Sequence, residues 1–445
     1  MMEKVLVTGA SGYIASHIVH QLLSARNEDG SPRYEVRGTV RISSLEKKMP
    51  LLMEMAGKID DGAAARLEVV GADLHSDEGW QSAVDGCTYV QHTASPIPTS
   101  TPRDPEELSR PAVGGVERVL KACQQAKTVK RVVMTSSAAA IAGSGSPSMG
   151  DKPADHVFSE EDWATPELCP PYERSKTLAE RRAWEMWRET PEEGRFELVV
   201  INPVMVMGPL VMSNAGASLM PVTKTMSGEF PMYPNVYFPM VDVRDVGRIH
   251  LAAMTKPGIS GNRYLASAEE LAEHGLPEIA QILYDHFSPR GFNFSTRVMP
   301  NWLLFPLKYI ITDLKVIANH VGVKTRQNIS KAIKEFDLTY IHPRQSILDA
   351  GESCIEFGAV TLPANYQPPT TAAADSTAAA AAVAASPSTA SDEGSATATA
   401  EVQAAETATE TTPASDVDAE APYTDVDSTP AKPSEDTTVT SQNDE

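Results

Sequence analysis

The 445-residue sequence predicts a doubly wound α/β fold: a parallel sheet covered by helices, a smaller α/β lobe, and a disordered acidic C-terminal tail. Three observations predict it. Apolar, β-branched runs alternate with helical patterns through the first two hundred residues, as in successive βαβ units. The alternation weakens after Pro203, where Pro, Met and Gly become frequent through residues 208–240. From residue 368 onward the chain is Ala, Thr, Ser, Pro and acid, with no sustained apolar period.

Taken in order, segments 4–8, 34–40, 66–70, 89–93, 131–136 and 197–202 are apolar runs of strand length, read as strands buried on both faces. Segments 13–25, 79–84, 108–126 and 171–189 carry helical patterns between them. Residues 241–254 (VDVRDVGRIHLAAM) read as a short strand leading into an amphipathic helix that returns to the large domain. The expected division is a larger domain of residues 1–203 plus 241–261, a smaller substrate-covering lobe of 204–240 plus 262–357, and a tail of 368–445. Two lobes imply a cleft. Sheets of this kind bind ligands beyond the carboxyl ends of their strands, so the loops after each strand are where chemistry is expected.

Composition narrows the functional classes. An apolar fraction of 42% at this length is enough to fill both cores. The net charge is −21, but residues 367–445 hold 15 Asp/Glu against the single Lys432, a charge of −14, which leaves −7 for the rest. A body of that charge argues against nucleic acid as a partner, since phosphate binding needs a concentrated basic face. Cys87, Cys123, Cys169 and Cys354 form no CxxC pair and no zinc spacing, and read as free thiols in a reducing compartment. The first residues run straight into a strand pattern with no secretory signal, so a cytoplasmic location is expected. The apolar stretch 302–311 is interrupted by Pro306 and Lys308 and is too short to span a bilayer. A buried helix is expected there, with a membrane-surface contact as the alternative. The tail cannot bury enough surface to offset the entropy of ordering, so disorder is expected, with transient helix at most over the alanine-rich 378–385. It reads as a solubilising extension, or as a tether for a protein partner.

Directly after the first strand stands Gly9-Ala10-Ser11-Gly12-Tyr13-Ile14-Ala15, a GxxGxxA turn opening a helix. Gly9 permits the tight turn, Gly12 lets backbone N–H groups approach a pyrophosphate, and Ala15 lets the helix pack close to the sheet. This is the dinucleotide turn of a Rossmann-type sheet, with Gly9, Ser11, Gly12, Tyr13 and Ile14 as its expected cofactor contacts. The second strand ends in Val40-Arg41 with no carboxylate before Glu46. An acid there would accept from a ribose hydroxyl; Arg41, with Lys47 or Lys48 nearby, suits a ribose phosphate instead, so NADP(H) is the expected cofactor. Asp73, followed by Leu74, is placed to accept from the adenine amino group. Thr93-Ala94-Ser95 supplies small residues where the backbone passes close to the cofactor.

Tyr172-Glu173-Arg174-Ser175-Lys176 puts a phenol and an ammonium four residues apart, on one helix face. Among 12 tyrosines about one such pair is expected by chance, so the context carries the argument. The helix follows a strand ending Met134-Thr135-Ser136-Ser137-Ala138 at the carboxyl edge of the sheet. Reduction of a carbonyl needs a proton donor at its oxygen and a group to hold that oxygen. Tyr172 is the expected donor and Lys176 the group that lowers its pKa and holds the ribose. Ser137 is expected to orient the carbonyl, with Ser136 as the alternative.

These motifs, GASGYIA, VRGTVR, ADL, TSSAA, YERSK, INPVMVMGP and VDVRDV, together resemble the extended short-chain dehydrogenase/reductase family within the NAD-dependent epimerase/dehydratase superfamily. The likeness is to the branch holding dihydroflavonol reductase, cinnamoyl-CoA reductase and fungal aldehyde or ketone reductases, and runs from about Lys4 to Phe357, including the NISK segment at 328–331. It implies Ser137, Tyr172 and Lys176 as the catalytic set, Arg41 and Lys48 at the cofactor phosphate, and Pro203 beside the nicotinamide. It also implies an asparagine five residues beyond Ser137 in enzymes that read flavonoid hydroxyls. Here that position is Ala142, which disfavours a flavonoid. The loop 142–152 is rich in Gly and Ser and is expected to shape the pocket mouth.

The sequence therefore points to an NADPH-dependent ketone or aldehyde reductase acting on a small-molecule carbonyl substrate, as monomer or homodimer. Hydroxysteroid dehydrogenase and nucleotide-sugar epimerase are the alternatives on the same fold, and Arg41 fits the second poorly. A cofactor-binding regulatory or scaffold protein working through its tail is the alternative from another class.

Overall fold

The structure is a computed structural model that describes residues 2–96, 104, 106–143, 152–153, 155–214, 216, 218–307 and 321–368, all within one compact unit, Met1–Ser376. The tail, most of the 142–152 loop and residues 308–311 of the apolar stretch lie outside the described residues.

The chain begins with β1 (Glu3–Thr8), α1 (Tyr13–Ser24), β2 (Tyr34–Val40), α2 (Leu45–Gly57) and β3 (Leu67–Gly71). It continues through α3 (Trp80–Val84), β4 (Tyr89–His92), α4 (Glu106–Ala126), β5 (Arg131–Thr135), α5 (Ala139–Ala142), β6 (Val157–Phe158), α6 (Pro171–Glu189) and β7 (Glu197–Pro203). Next come β8 (Met205–Met207), α7 (Met220–Met226), β9 (Tyr233–Pro234), β10 (Met240–Asp242), α8 (Val243–Thr255) and β11 (Asn262–Ala266). The last described elements are α9 (Leu276–Phe287), β12 (Val298–Met299), α10 (Asn301–Leu307), β13 (Arg326–Gln327), α11 (Ser330–Phe336) and α12 (Pro343–Glu356).

Seven strands form one parallel sheet in the order β11-β7-β5-β4-β1-β2-β3. The winding reverses between β1 and β4, and the crevice at that reversal is where such sheets take a ligand. Side chains alternate across the sheet because successive Cβ atoms point to opposite faces. Val5, Val7, Val133, Val199 and Ile201 pack with Ile18, Leu22, Leu52 and Ile249 of α1, α2 and α8. Leu6, Val90, Val132, Leu198 and Val200 pack with Trp80, Val116, Leu120 and Trp184 of α3, α4 and α6. Burial on both faces explains why these strands read as continuous apolar runs.

All six expected strands of the sheet are present within a residue or so of their expected bounds. The seventh, β11, is a correction: residues 262–266, assigned above to the smaller lobe, form the sheet edge beside β7, with Tyr264 opposite Ile201. Helix α2 is an addition, since its Pro50 interrupts the helical pattern and only Leu52, Met55 and Ala56 are buried.

A third core gathers Leu219, Val222 and Met226 of α7, Ile279, Leu283 and Phe287 of α9, and Ile347, Ala350 and Cys354 of α12. The VDVRDV motif ties this core to the sheet. Buried Asp242 caps α8 by accepting from Arg244 N–H at 2.8 Å, pairs with the Arg244 guanidinium, and accepts from Ser346 of α12 at 2.6 Å. Asp245 accepts from Ile341 N–H at 2.8 Å. In α10, Leu304 is buried as expected, but Trp302 is 72% exposed, so burial of this stretch fails at that residue. Among the described residues no helix is long and apolar enough to cross a membrane.

Candidate active site

The crevice between β1 and β4 is built by close backbone approach. Gly9 sits at φ +65°, and a Cβ there would lie 3.1 Å from the Ala94 Cβ, so only glycine satisfies both the turn and the neighbouring loop. Gly12 N–H donates to Gly9 O at 2.7 Å. The first turn of α1 has no side-chain cap and no acid, which leaves its N–H groups directed at the crevice. Strand β2 braces the turn: Ala10 N–H donates to Thr39 O at 2.8 Å and Gly9 N–H to Thr39 Oγ1 at 3.1 Å. Gly38 makes room for it, since a Cβ there would stand 2.6 Å from that of Ala10.

The loop after β4 is latched to β1. Thr8 Oγ1 accepts from Thr93 N–H at 3.1 Å and Ala94 N–H at 3.0 Å, while Thr93 Oγ1 donates to Thr8 O at 2.5 Å. With two donors on its oxygen, the Thr8 hydroxyl directs its own proton to His92 Nδ1, 2.9 Å away. Burial pushes the His92 imidazole down to about 4, so it is neutral. Ser95 is half-buried beyond this latch.

The expected contacts of the turn divide by atom type. Tyr13 is buried and donates from its hydroxyl to Gly208 O at 2.7 Å, Ile14 packs against two cores, and Leu74 packs against Gly115 of α4. These three offer the crevice main-chain groups only. Ser11 O accepts from the Asn214 side chain. At the end of β2, Arg41 is exposed and Lys48 half-buried, and among the described residues neither has a salt-bridge partner. Burial, then the charges of Lys47 and Arg41, hold the Lys48 ammonium below its ordinary range. Asp73 is held below the usual carboxylate range chiefly by His75 N–H, at 3.0 Å, with Arg41 contributing. A cationic cluster of Arg41, Lys47 and Lys48 with no salt bridge among the described residues, beside an uncapped helix start, fits a phosphorylated dinucleotide.

At the carboxyl edge of β5 and β7, helix α6 faces a turn of two serines. Ser136 is buried and donates to Glu180 Oε2 at 2.5 Å. Ser137 is half-buried, accepts from Ala139 N–H at 3.2 Å, and through its side chain holds the Tyr172 phenol down against its burial. Ser137 is thus the serine beside Tyr172, and Ser136 turns into the protein. The Lys176 Nζ lies over the Tyr172 ring, 5.9 Å from its centroid. Buried Pro203 ends β7 and accepts at its carbonyl from Ala138 N–H at 2.8 Å.

One electrostatic expectation is corrected. Burial pushes the Tyr172 phenol above its ordinary 10.0, and the opposing pull comes from Ser137 rather than from Lys176. Lys176 is itself pushed down to about 8 by burial, with Glu180 opposing that shift. Burial is the first cause of both shifts.

The sequence reading missed Glu180 and Asn202. Glu180 follows Tyr172 and Lys176 at the same four-residue interval, a spacing that could have found it. It is fully buried and, besides Ser136, accepts from Asn202 Nδ2 at 2.7 Å, Arg263 Nε at 2.5 Å and Trp184 Nε1 at 3.2 Å. Ala142 lies with Ile141, Phe158, Leu265 and Val204 in an apolar cluster next to the serine turn.

Comparison with known proteins agrees with this geometry. The NAD dependent epimerase/dehydratase family matches residues 5–267. Cinnamoyl-CoA reductase 1 of Arabidopsis thaliana is 35% identical over 360 residues, covering 80% of this chain and 90% of that protein. The crystal structure of yeast methylglyoxal/isovaleraldehyde reductase Gre2 complexed with NADPH superposes with a TM-score of 0.63 at 28% identity, covering 80% of this chain and 100% of that one. Vestitone reductase from alfalfa (Medicago sativa) gives 0.58 at 26% identity, covering 80% and 99%.

Proposed function

The chain belongs to the NAD dependent epimerase/dehydratase family, and on that premise we propose that it is an NADPH-dependent reductase of ketone or aldehyde carbonyls. The relatives named above are reductases, and one is crystallised with NADPH. The observation that carries the reading is the placing of Lys176 over the Tyr172 ring with Ser137 beside them, at the edge of the sheet that carries the glycine turn.

Gly9, Ser11, Gly12, Tyr13 and Ile14 hold the cofactor pyrophosphate through their main chain, and Arg41 with Lys48 take the ribose phosphate. Asp73 and Leu74 would meet the adenine, Thr93, Ala94 and Ser95 would lie against the cofactor, and Pro203 would stand beside the nicotinamide. When bound, NADPH supplies the hydride. Ser137 donates to the substrate carbonyl oxygen and fixes its position. Tyr172 gives that oxygen its proton; a phenol raised by burial is fully protonated at neutral pH, which suits the direction of reduction. Lys176 holds the ribose hydroxyls and stabilises the phenolate as it forms. Ala142 and its apolar neighbours offer no hydrogen bond to a ring hydroxyl, so recognition on this side rests on shape.

The test is loss of NADPH absorbance with a panel of ketones and aldehydes, using the wild type and Tyr172→Phe. The variant keeps the ring but not the proton and is expected to lose at least a hundredfold in kcat with NADPH affinity retained. Cofactor binding without turnover across the panel would overturn the reading, as would a Tyr172→Phe enzyme of undiminished rate.

A further inference from the structure

We propose that Glu180 is a positioning residue for this reaction: its buried carboxylate holds the serine turn in register through Ser136 and Asn202, and supplies the negative charge that Lys176 faces.

The inference rests on the catalytic reading of Ser137, Tyr172 and Lys176 and adds what holds them. Glu180 comes one helical turn after Lys176, on the face of α6 turned to the sheet. Its Oε2 accepts from Ser136 at 2.5 Å and from Asn202 at 2.7 Å. The same Asn202 Nδ2 donates to Ser137 O at 3.1 Å, so the serine beside Tyr172 is gripped from both sides. Both contacts fall on the amide nitrogen, which leaves the fully buried Asn202 Oδ1 without a protein partner among the described residues. Leaving a buried carbonyl unpartnered destabilises the fold. An arrangement kept at that cost, directly behind a reactive hydroxyl, is better explained by positioning than by stability.

The other oxygen is committed as well. Glu180 Oε1 accepts from Arg263 Nε at 2.5 Å, and Arg263 Nη1 donates onward to Glu160 O at 2.9 Å and Asp162 O at 2.8 Å. The Arg263 guanidinium also stacks 3.7 Å from the Trp163 ring centroid. One carboxylate therefore joins helix α6, the serine turn, strand β7, edge strand β11 and the 160–163 loop. Well-packed apolar residues would serve stability equally well, because a buried ion pair is a weak source of it. What they would not supply is charge. Among the described residues, the groups facing Lys176 are Tyr172 and Glu180 from its own helix and His92 from β4, and His92 is neutral. Glu180 is the opposing charge that keeps Lys176 an ammonium against its burial.

The test is the pH profile of kcat/KM in Glu180→Gln, which keeps the shape and removes the charge. The alkaline limb, where Lys176 loses its proton, is expected to move down by about one pH unit. In addition, below the limb, where Lys176 keeps its proton and its hold on the ribose, kcat should fall at least tenfold while the NADPH Kd stays within about twofold. Glu180→Gln combined with Arg263→Gln leaves no unpaired charge buried, so it protects the fold, and it should show a downward limb of smaller size, because a nearby positive charge is removed as well. A stationary limb in either folded variant overturns the proposal, whatever happens to kcat. Tyr172→Phe measured alongside separates the two claims. If that variant retains turnover, the catalytic reading itself falls; if it loses turnover and the Glu180 limb is stationary, only the role of Glu180 falls.

Discussion

Replacing Arg41 with alanine tests how the protein chooses its cofactor. Arg41 is exposed at the end of β2, and Lys48 is half-buried with its ammonium disfavoured by burial and by the neighbouring Lys47 and Arg41 charges. Such a cluster relaxes only when a counter-anion arrives. At an exposed site one unit charge acting at 4 Å on another is worth about 1 kcal/mol in water, and a ribose phosphate carries between one and two charges. Arg41 should therefore contribute about 2 kcal/mol to NADPH binding, or about thirtyfold in Kd. Removing Arg41 also relieves Lys48, which strengthens its own hold on the phosphate, so the expected loss in Arg41→Ala is about ten- to thirtyfold. NADH has no phosphate at this position, and its Kd should change by less than about twofold. Titration of nicotinamide fluorescence with both cofactors at low and high salt measures this. The wild-type preference for NADPH should narrow as salt rises, because the site is open to screening. Equal weakening of NADH and NADPH would mean that the substitution damages the glycine turn, and an unchanged NADPH Kd would mean that Arg41 does not face the phosphate.

Two further predictions concern the fold that carries the site. His17, His92 and His250 are pushed down by burial to about 4, about 4 and about 3, so the unfolded chain binds their protons first. Stability contributed by these groups is complete above their unfolded value near 6.5 and is lost as pH falls toward the folded values; each should cost about 2 kcal/mol between pH 7 and 5. Urea unfolding at both pH values should show this drop, and His250→Gln should reduce it by about a third; an equal drop in the variant would contradict the assignment. Gly38→Ala brings a Cβ to 2.6 Å from that of Ala10, beneath the dinucleotide turn. It should lower stability by about 1–3 kcal/mol and weaken NADPH at least tenfold, measured by denaturation and titration. Unimpaired affinity would show that the turn does not depend on this contact.

Much of the sheet was legible because its information is local. A strand buried on both faces announces itself as an apolar run, and a glycine that must take positive φ between strand and helix announces the turn, as Gly9 does. Arg41 was legible for a related reason, since the residue ending β2 is set by strand length. Less legible was anything whose meaning depends on a partner distant in sequence. Strand β11 (NRYLA) carries two polar residues that mask it, and it is recognisable only beside β7, where Arg263 meets Glu180 from 83 residues away. Helix α2 was hidden by Pro50, which local rules read as a break.

By itself the sequence determined the bounds of the first six strands and the place of the glycine turn from local apolar runs and a glycine motif, and the shared face of Tyr172 and Lys176 from the period of 3.6 residues. Tertiary structure alone decided between Ser136 and Ser137. Adjacent residues in extended chain point to opposite sides, and only the position of α6 reveals that Ser137 meets Tyr172 while Ser136 meets Glu180. It also decided the sign of the Tyr172 shift. Spacing brings an ammonium near a phenol, but the balance between their attraction and the loss of water depends on every neighbour that excludes solvent, and those neighbours come from strands and loops that only folding brings together.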